Sequence, residues 1–291
     1  MRETLWQRLT RGARRLRQQS DWAVFAGSDW ADRIMGVPVT DRFHSKQGRS
    51  TGRWILRAEK RHLAVYLKRH YWLPLWRGLL AALWPNAGLS PGLREWRQLE
   101  WARDHGMLVP RALAAAEYIG PWGRLQSFLA VEELGGMVPL HEAVTAAERN
   151  LGEQAFLNWK RTLVIELARI ARALHERRYF HKDFYLCHFF IPEDATWRIP
   201  NWRACVYVID LHRLGQHRRT WPLWQVKDLA QLLYSSEIKG IDARDRVRFW
   251  RAYWGANRHG RLPRLMKSWV LYKWRRYRRH NLKNRDYSRR A

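Results

Sequence analysis

The sequence contains few cysteines and no long apolar run. Its two cysteines, Cys187 and Cys205, exclude a disulfide framework and a zinc site built on paired cysteines, and they favour a reducing compartment. The most apolar stretch, residues 71–84, includes a proline and an arginine, whereas a membrane span needs about 20 apolar residues. The N-terminus lacks the apolar segment and cleavage site of a secretory signal. The sequence therefore predicts a cytoplasmic protein that meets a membrane from one side only.

Acidic residues are scarce beside basic ones. The 291 residues include 54 Lys+Arg and 26 Asp+Glu, which gives a formal net charge of +28. A hydrophobic content of 46% excludes a disordered polycation and predicts two lobes or one large domain. The charge predicts a negative partner, which is nucleic acid, an anionic membrane face or a phosphorylated substrate. The 19 Trp and 11 Tyr suit stacked bases and a bilayer interface equally, so composition leaves these alternatives open.

The two ends of the chain are strongly basic. Residues 1–20 place Leu and Trp at rough helical spacing among arginines, which predicts a basic amphipathic helix on anionic lipid or a solvated terminus. Residues 266–291 mix aromatic rings with a dense Lys/Arg run, which predicts a contact with membrane phosphates or a disordered tail. The basic residues assigned to the membrane contact are Arg11, Arg14, Arg15, Arg17, Lys273, Arg275, Arg276, Arg278 and Arg279.

Between the ends, the hydrophobic pattern predicts β, then α, then β, then mostly α structure. The predicted strands are 54–56 and 63–68, which form a hairpin, 114–118 and 127–133, which flank the turn GPWG, and 187–191 and 205–209; the predicted helices are 91–105 and 158–178, and the last third of the chain is helical.

The segment YFHKDFYLCHFFI, residues 179–191, follows the longest predicted helix. Its His181, Lys182 and Asp183, with His188 five residues beyond Asp183, have the spacing of the H-R-D-x-x-x-x-N catalytic loop of protein kinases. A carboxylate in such a loop orients the acceptor hydroxyl and takes its proton as the phosphoryl group moves. Farther along, VYVIDLHR ends an apolar strand at Asp210, where kinases place the aspartate that holds Mg²⁺ across the nucleotide phosphates.

A lysine that ends a strand lies upstream of these segments. Lys68 closes the strand Val65-Tyr66-Leu67-Lys68, as in the V-A-I-K motif of kinases, where the lysine contacts the α- and β-phosphates. The helix that follows carries Glu95, which can pair with the amine, and Glu100, which is a competing partner. Phosphoryl transfer is predicted by the order of these residues along the chain: Lys68, Glu95, Asp183 in the loop and Asp210 at the end of a strand.

These segments resemble the lipopolysaccharide core heptose kinases of the Kdo/WaaP family. HKDFYLCHFF, VIDLHR and WPLWQVKDLAQLLYSS match the family's H-R-D-C-Y-I-C-H-F, V-I-D-L-H-R and K-D-L…L-Y-x-S-S segments in the same order, and YLKRHYW and LREWRQLEWARDHGMLVP resemble its lysine strand and following helix. The resemblance covers about residues 50–250. It implies an α+β, protein-kinase-like fold with two lobes: a basic extension (1–40), a β-rich N-lobe (41–134), a helical C-lobe (135–262) and a basic aromatic tail (263–291).

The resemblance also implies roles for individual residues. Asp183 is the catalytic carboxylate, Asp210 the Mg²⁺ ligand, Lys68 the phosphate-binding lysine and Glu95 its partner, while His188 stands at the second metal contact, although imidazole suits Mg²⁺ poorly. The resemblance also implies residues that support the catalytic loop and residues that bind the nucleotide. These are His181 and Asp228, which support the catalytic loop, Glu132 and Glu133, which lie in the hinge that meets adenine, and Gly48 and Gly52, which form the phosphate-covering turn in the absence of G-x-G-x-x-G.

The function expected from the resemblance is an ATP- and Mg²⁺-dependent sugar kinase. Its acceptor is a heptose or a Kdo residue of the lipopolysaccharide inner core, and it works as a peripheral protein on the inner face of the inner membrane. The expected partners are this acceptor and an anionic membrane surface. The alternatives are a kinase-fold phosphotransferase with a soluble small molecule or protein as acceptor and, without any RNP1, KH or zinc-finger signature, an RNA-binding protein. No nucleic acid partner is expected.

Overall fold

The structure is a computed structural model that describes residues 4–38, 43–44, 48–58, 61–84 and 88–288, of which 43–44 and 281–288 are described by their backbone alone. Contacts within the chain divide it into two units, Met1–Gly135 and Gly136–Ala291. An antiparallel sheet organises the first unit and helices dominate the second. The predicted α+β class is therefore confirmed.

The first unit is built on an antiparallel sheet whose described strands have the order β1-β5-β6-β4-β3-β2. The strands are β1 (Ala13–Gln18), β2 (Phe43–His44), β3 (Arg49–Ala58), β4 (Arg61–His70), β5 (Ala112–Ile119) and β6 (Leu125–Glu132). The helices are α1 (Leu5–Thr10), α2 (Trp22–Ala26), α3 (Trp30–Arg33), α4 (Leu75–Leu83) and α5 (Pro91–Asp104), with a 3₁₀ turn at Pro121–Gly123.

The predicted strands and helix of this unit are confirmed; the strands are longer than the pattern indicated, and the helix ends one residue earlier. β3 and β4 pair in one antiparallel register along their whole length, and residues 59–60, where the sequence predicts a charged turn, lie outside the described residues. Helix α5 begins after Ser90, whose hydroxyl accepts from the Leu93 amide, and it has proline in its first turn. The helix ends before Gly106, whose φ of +72° suits glycine.

The amphipathic helix predicted at the N-terminus ends at Thr10, and the next segment is strand β1. Gly12, with a φ of +82°, turns the chain into this strand, which then pairs along β5. Arg15 reaches the fully buried carboxylate of Glu117, with a nitrogen-to-oxygen distance of 3.1 Å. The helix prediction is therefore wrong beyond Thr10, because pairing with β5 satisfies the backbone of this segment.

Helices α2 and α3 cover one face of the sheet. Trp22 and Trp30 are buried, and the Trp30 ring meets the Phe128 ring of β6 edge-on, with 5.5 Å between centroids. The buried guanidinium of Arg69 donates to carbonyls just after α3, including that of Val37 at 2.6 Å. The segment before residue 40 thus contributes to the core of the first unit.

The second unit contains helices α6 (Leu140–Asn150), α7 (Glu153–Glu176), α8 (Trp221–Ser235), α9 (Ala243–Trp254) and α10 (Arg261–Ser288). Its short strands are β7 (Met137–Pro139), β8 (Tyr179–Phe180), β9 (Phe189–Pro192), β10 (Tyr207–Val208) and β11 (Gly215–Gln216). Among the described residues they pair antiparallel in two small sheets, with the order β10-β9-β7 and β11-β8. Further 3₁₀ turns span Leu186–His188, Glu193–Thr196, Trp202–Ala204, Leu211–Arg213 and Gly255–His259.

In the second unit the long helix, the two apolar strands and the helical last third are confirmed with shifted boundaries, whereas the sequence pattern did not indicate helix α6 or strands β7, β8 and β11. Helix α7 begins five residues before the predicted start at 158, and the two predicted apolar strands are present as the shorter β9 and β10. Helix α10 packs Met266 and Val270 into the interior, so the alternative of a disordered tail is wrong for the described part of this segment. No described helix combines the length and the apolar composition needed to cross a bilayer.

Candidate active site

Helix α8 anchors the catalytic segment, which we define as residues 181–188. The carboxylate of Asp228 is fully buried and accepts from the amides of His181 and Lys182, each at 2.8 Å. Its Oδ2 also lies 3.4 Å from Nε2 of His175 on α7. Asp228 therefore fixes the entry to the segment and has the supporting position expected of it.

Two further side chains of α8 accept hydrogen bonds from backbone amides of the segment, and sequence reasoning missed both. Gln231 Oε1 accepts from the Phe184 amide and Ser235 Oγ accepts from the Leu186 amide, each at 3.0 Å. Together with Asp228 they stand at positions i, i+3 and i+7, which share one face of a helix. Polar residues at this spacing inside the apolar stretch VKDLAQLLYSS were the available signal.

Asp183 projects from this anchored backbone. Lys182 before it is left-handed, with a φ of +70°, and Phe184 after it is fully buried. The Asp183 carboxylate is 18% exposed, and both of its oxygens lie 3.1 Å from Nη1 of Arg213. A partly exposed carboxylate on a fixed backbone can orient a hydroxyl and accept its proton. Sequence reasoning did not assign any role to Arg213.

Asp210 lies next to the catalytic segment within the second unit. Its backbone is left-handed, with a φ of +60°, a conformation that costs a residue with a side chain roughly 1–3 kcal/mol. Two hydrogen bonds link the neighbouring backbone to the segment: the Ile209 amide donates to the His188 carbonyl at 2.9 Å, and Nε2 of His181 lies 3.0 Å from the Ile209 carbonyl. Strained backbone held in this way is typical of functional sites.

The two histidines of the catalytic segment have opposite electrostatic settings. Burial lowers the pKa of His181, which is therefore neutral and donates to the Ile209 carbonyl through Nε2. Burial also lowers the pKa of His188, but hydrogen bonds to Cys187 and to the Asp183 carbonyl outweigh it and raise that pKa to about 9. His188 Nε2 lies 3.8 Å from Asp210 Oδ2. This arrangement favours an ion pair with Asp210, and the metal contact expected of His188 stays a prediction.

The chemistry around Asp210 fits Mg²⁺ that is shared with nucleotide phosphates. Asp210 presents a carboxylate that is 32% exposed, and its Oδ1 lies 2.7 Å from Nδ1 of His212. Across the described residues, no group of three or more His, Cys, Asp or Glu side chains forms a metal cage. Mg²⁺ bound with ATP normally uses one or two carboxylates together with phosphates and waters, so a single presented carboxylate suits it.

In the first unit, Lys68 and Glu95 form the predicted ion pair. Nζ of Lys68 lies 2.6 Å from Oε1 of Glu95, and the glutamate side chain is 5% exposed. β4 supplies the lysine and α5 the glutamate. The structure thus pairs Lys68 with Glu95, and not with the competing Glu100, and the nearly buried carboxylate fixes the direction of the amine.

The two glycines expected in a phosphate-covering turn lie in different elements. Gly48 is in the turn before β3, with a φ of +56°, and a Cβ there would lie 2.7 Å from Cβ of Trp72. Gly52 lies inside β3 opposite Leu67, so placing it in the turn was wrong. The register puts Thr51 directly opposite Lys68. Strand β3, which follows Gly48, therefore lies beside β4, the strand that carries Lys68. Residues 45–47 lie outside the described residues.

The expected hinge residues are Glu132, the last residue of β6, and Glu133 directly after it. The Glu132 amide donates to the Arg111 carbonyl and the Glu133 amide donates to the Ala64 carbonyl, each at 2.9 Å. Their carboxylates pair with Arg111 and Arg53. Both amides are therefore already engaged within the first unit, and contact of these residues with adenine stays a prediction.

The local arrangements in the two units define a class of protein. Phosphoryl transfer is mainly positioning and charge neutralisation, and kinase-like phosphotransferases assign these tasks to a strand lysine paired with a helix glutamate, a loop aspartate and a strand-end aspartate. Lys68, Glu95, Asp183 and Asp210 occupy such elements. The fold and the placement of these residues are those of a kinase-like phosphotransferase.

Comparisons with known proteins give the family. The model of the lipopolysaccharide kinase (Kdo/WaaP) family matches residues 39–253. The chain is 32% identical over 205 residues to the lipopolysaccharide core heptose(I) kinase WaaP of Pseudomonas aeruginosa, which covers 69% of this chain and 74% of that protein. It is 29% identical over 180 residues to the protein of the same name from Escherichia coli K12, with 62% of this chain and 64% of that protein covered.

A solved structure agrees in fold. It is described as WaaP in complex with acyl carrier protein, and it matches with a TM-score of 0.66 and 24% identity over 90% of this chain and 98% of that chain. The chain belongs to the lipopolysaccharide kinase (Kdo/WaaP) family. It is an ATP-dependent phosphotransferase whose acceptor is a sugar hydroxyl of the lipopolysaccharide core.

Proposed function

We propose that this protein transfers the γ-phosphate of ATP to a heptose of the lipopolysaccharide inner core at the cytoplasmic face of the inner membrane. The observation that carries the proposal is the anchoring of Asp183: three side chains of α8 accept hydrogen bonds from the backbone amides around a partly exposed carboxylate. The names of the curated relatives support a heptose as the acceptor in preference to Kdo.

In the proposed mechanism, Asp183 accepts a hydrogen bond from the acceptor hydroxyl and takes its proton as the phosphoryl group arrives. Arg213, which contacts both Asp183 oxygens, shifts when the hydroxyl takes its place. Lys68, directed by Glu95, contacts the phosphates of ATP. A direct transfer of this kind needs no covalent enzyme intermediate.

Asp210 is the residue that would hold Mg²⁺ together with the nucleotide phosphates. The metal supplies neutralisation of the charge on the transferring phosphoryl group. The contacts of Ile209 and His181 keep the carboxylate of Asp210 beside the catalytic segment. His212 restricts the rotation of that carboxylate through the 2.7 Å contact with Oδ1.

The test is an assay of phosphate transfer from labelled ATP to delipidated core oligosaccharide. Asp183→Asn preserves the shape of the side chain and removes its basicity, so we expect turnover to fall about 10²–10⁴-fold while ATP still binds. Asp194→Asn is the matched control, because Asp194 is an exposed aspartate of the same unit that pairs with Arg198. Turnover near that of the unmodified enzyme in Asp183→Asn would contradict the assignment.

The metal role of Asp210 is tested separately. Asp210→Ala should abolish the Mg²⁺-dependent part of nucleotide affinity, whereas binding of ATP without Mg²⁺ should change little. Isothermal titrations of ATP with and without Mg²⁺ measure both. Equal affinities of the variant and the unmodified protein in both titrations would assign the metal to other residues.

The acceptor is identified by mass spectrometry of the lipopolysaccharide core from a strain that lacks this protein. We expect the loss of one phosphate from a heptose. A core that lacks phosphate on Kdo instead would move the acceptor to that sugar, and an unchanged core would favour a soluble acceptor. Fragmentation of the oligosaccharide distinguishes the three results.

The basic ends are proposed to add attraction to an anionic membrane, which would concentrate the enzyme near a lipid-linked acceptor. Not all of the residues assigned to this role are available for it. Arg15 pairs with buried Glu117 and so contributes to the fold of the first unit, while Arg14 and Arg278 are paired with the carboxylates of Asp32 and Glu237. The proposal therefore depends on the remaining basic residues, each worth about 1 kcal/mol near the surface before screening.

A further inference from the structure

An apolar surface of the first unit has no role in the chemistry described so far. Helix α4 carries Leu75, Trp76, Leu79 and Leu83 on its outer side, all exposed. At 3.6 residues per turn these positions fall within about 100° of arc, so they form one face. We name this face, together with Trp6 and Trp122, the aromatic patch.

The opposite side of α4 is fitted closely to the unit. Gly78, Ala81 and Ala82 are buried, and a Cβ at Gly78 would lie 2.0 Å from the carbonyl oxygen of Gly123. Nε of Arg8 donates to the Ala82 carbonyl at 2.8 Å, which ties α1 to the end of α4. The helix cannot turn its apolar face inward, because the inner face admits only very small residues.

The turn beside α4 holds an indole outward in a strained conformation. Trp122 has a φ of 54°, in the left-handed region that side-chain-bearing residues rarely adopt, and it is 61% exposed. Its ring meets the Trp6 ring edge-on, with 6.0 Å between centroids. Strain that presents an exposed tryptophan points to a role in binding.

The charges around the patch have one sign. The segments 4–11, 71–84 and 120–126, which carry the patch, contain four arginines and no acidic residue. The guanidinium of Arg77 lies 5.3 Å from the ring centre of Trp76, and Arg11 and Arg124 are exposed. Leucine and tryptophan on one helix face with arginines around them are typical of helices that lie in the interface of an anionic bilayer.

We propose that the aromatic patch inserts into the interface of an anionic phospholipid bilayer and holds the first unit on the membrane. The proposal deepens the proposed function and rests on it, because an acceptor linked to lipid requires an enzyme that dwells at the surface. It adds an apolar contact to the electrostatic one, so binding will persist in part at high salt, which screens charge but not apolar burial.

The test compares vesicle binding of the full-length protein and two variants. Leu75→Gln/Trp76→Gln/Leu83→Gln changes the patch, and Leu157→Gln/Ile165→Gln, on exposed positions of α7, is the matched control. On vesicles of phosphatidylcholine with phosphatidylglycerol, we expect binding of the patch variant to be at least about tenfold weaker, because less apolar area is buried. The control should bind like the unmodified protein.

A second variant protects the test against loss of folding. Trp122→Gly removes the exposed indole and suits the positive φ, so it should keep the thermal unfolding midpoint while weakening vesicle binding. Unchanged binding of both patch variants, equal weakening in the α7 control, or an unmodified protein that binds no vesicles would overturn the proposal. A dimer that only the patch variants dissociate would assign the surface to a second copy instead.

Transfer to the delipidated acceptor is measured on the same preparations. If the unmodified protein binds vesicles and its patch variants do not, yet none of them phosphorylates the core oligosaccharide, the proposed function fails and the membrane contact stands. If all of them phosphorylate the acceptor with equal turnover and bind vesicles equally well, the membrane contact fails alone.

Discussion

The catalytic segment and the Lys68 strand place their charged side chains in different ways. Lys68 lies on β4, whose backbone is paired with β3 on one side and β6 on the other. Asp183 lies in a segment whose amides instead find side chains of α8 as partners. Both solutions satisfy buried backbone groups, which must be paired wherever they lie.

The two regions differ in the number of hydrogen bonds that fix the backbone beside each charged side chain. Along β4, the ladder spreads the stabilisation over many backbone bonds, so no single side chain fixes the path of the strand. In the catalytic segment, individual carboxylate, amide and hydroxyl oxygens hold successive residues. Loss of one side chain of α8 should therefore disturb the segment more than loss of one side chain near Lys68 disturbs the strand.

The largest expected effect comes from Asp228→Ala, which removes the acceptor of two buried amides. Each unsatisfied group costs about 1–3 kcal/mol, so we expect a clear loss in the free energy of unfolding and a loss of turnover. Denaturant titration measures the first quantity. Asp194→Ala is the control and should stay within about 0.5 kcal/mol, because its partner Arg198 is exposed. Equal stability of the two variants would break the comparison.

A smaller and different effect is expected from Glu95→Gln. The paired strands keep the path of β4, so the fold should persist, while the Lys68 amine loses its charged partner. A hydrogen bond between charged groups is worth about 1.5–3 kcal/mol, so we expect the KM for ATP to rise about 10- to 100-fold with a smaller change in kcat. Steady-state kinetics measure both constants. Glu100→Gln is the control on the same helix, and an equal effect there would contradict the pairing.

The same contrast explains what could be predicted from the sequence. The periodicity of apolar residues predicts β3, β4, α5 and α7, because the formation of these elements is indicated by residues that are close together in the sequence. Asp183, Asp210 and the Lys68–Glu95 pair followed from motif order, and the last of these is confirmed by its geometry. In each of these motifs, a few neighbouring residues indicate both the secondary-structure element and the functional side chain.

Contacts between distant parts of the chain could not be predicted in this way. Gln231 and Ser235 bind the backbone of the catalytic segment, and although their spacing marks a polar face of α8, it does not indicate which segment that face contacts. Strand β1 lies in the segment 1–20, whose leucines have rough helical spacing and predict a helix, whereas its pairing with β5 decides its structure. Gly52 was placed in a turn because the boundaries of β3 depend on β4.

The smallest expected effect comes from Arg213, whose contact with Asp183 resembles neither the α8 network nor the sheet ladder. Its side chain is 48% exposed, and exposed ion pairs contribute about 0–1 kcal/mol. If Arg213 only orients Asp183 in the ligand-free enzyme, Arg213→Ala should lower kcat by about fivefold at most, as the exposed control Arg198→Ala should. An arginine that contacts the transferring phosphoryl group would instead be worth about 10³–10⁵-fold in kcat. A loss of that size would place Arg213 in the catalytic machinery, and the double variant with Asp183→Asn would measure how strongly the two side chains are coupled.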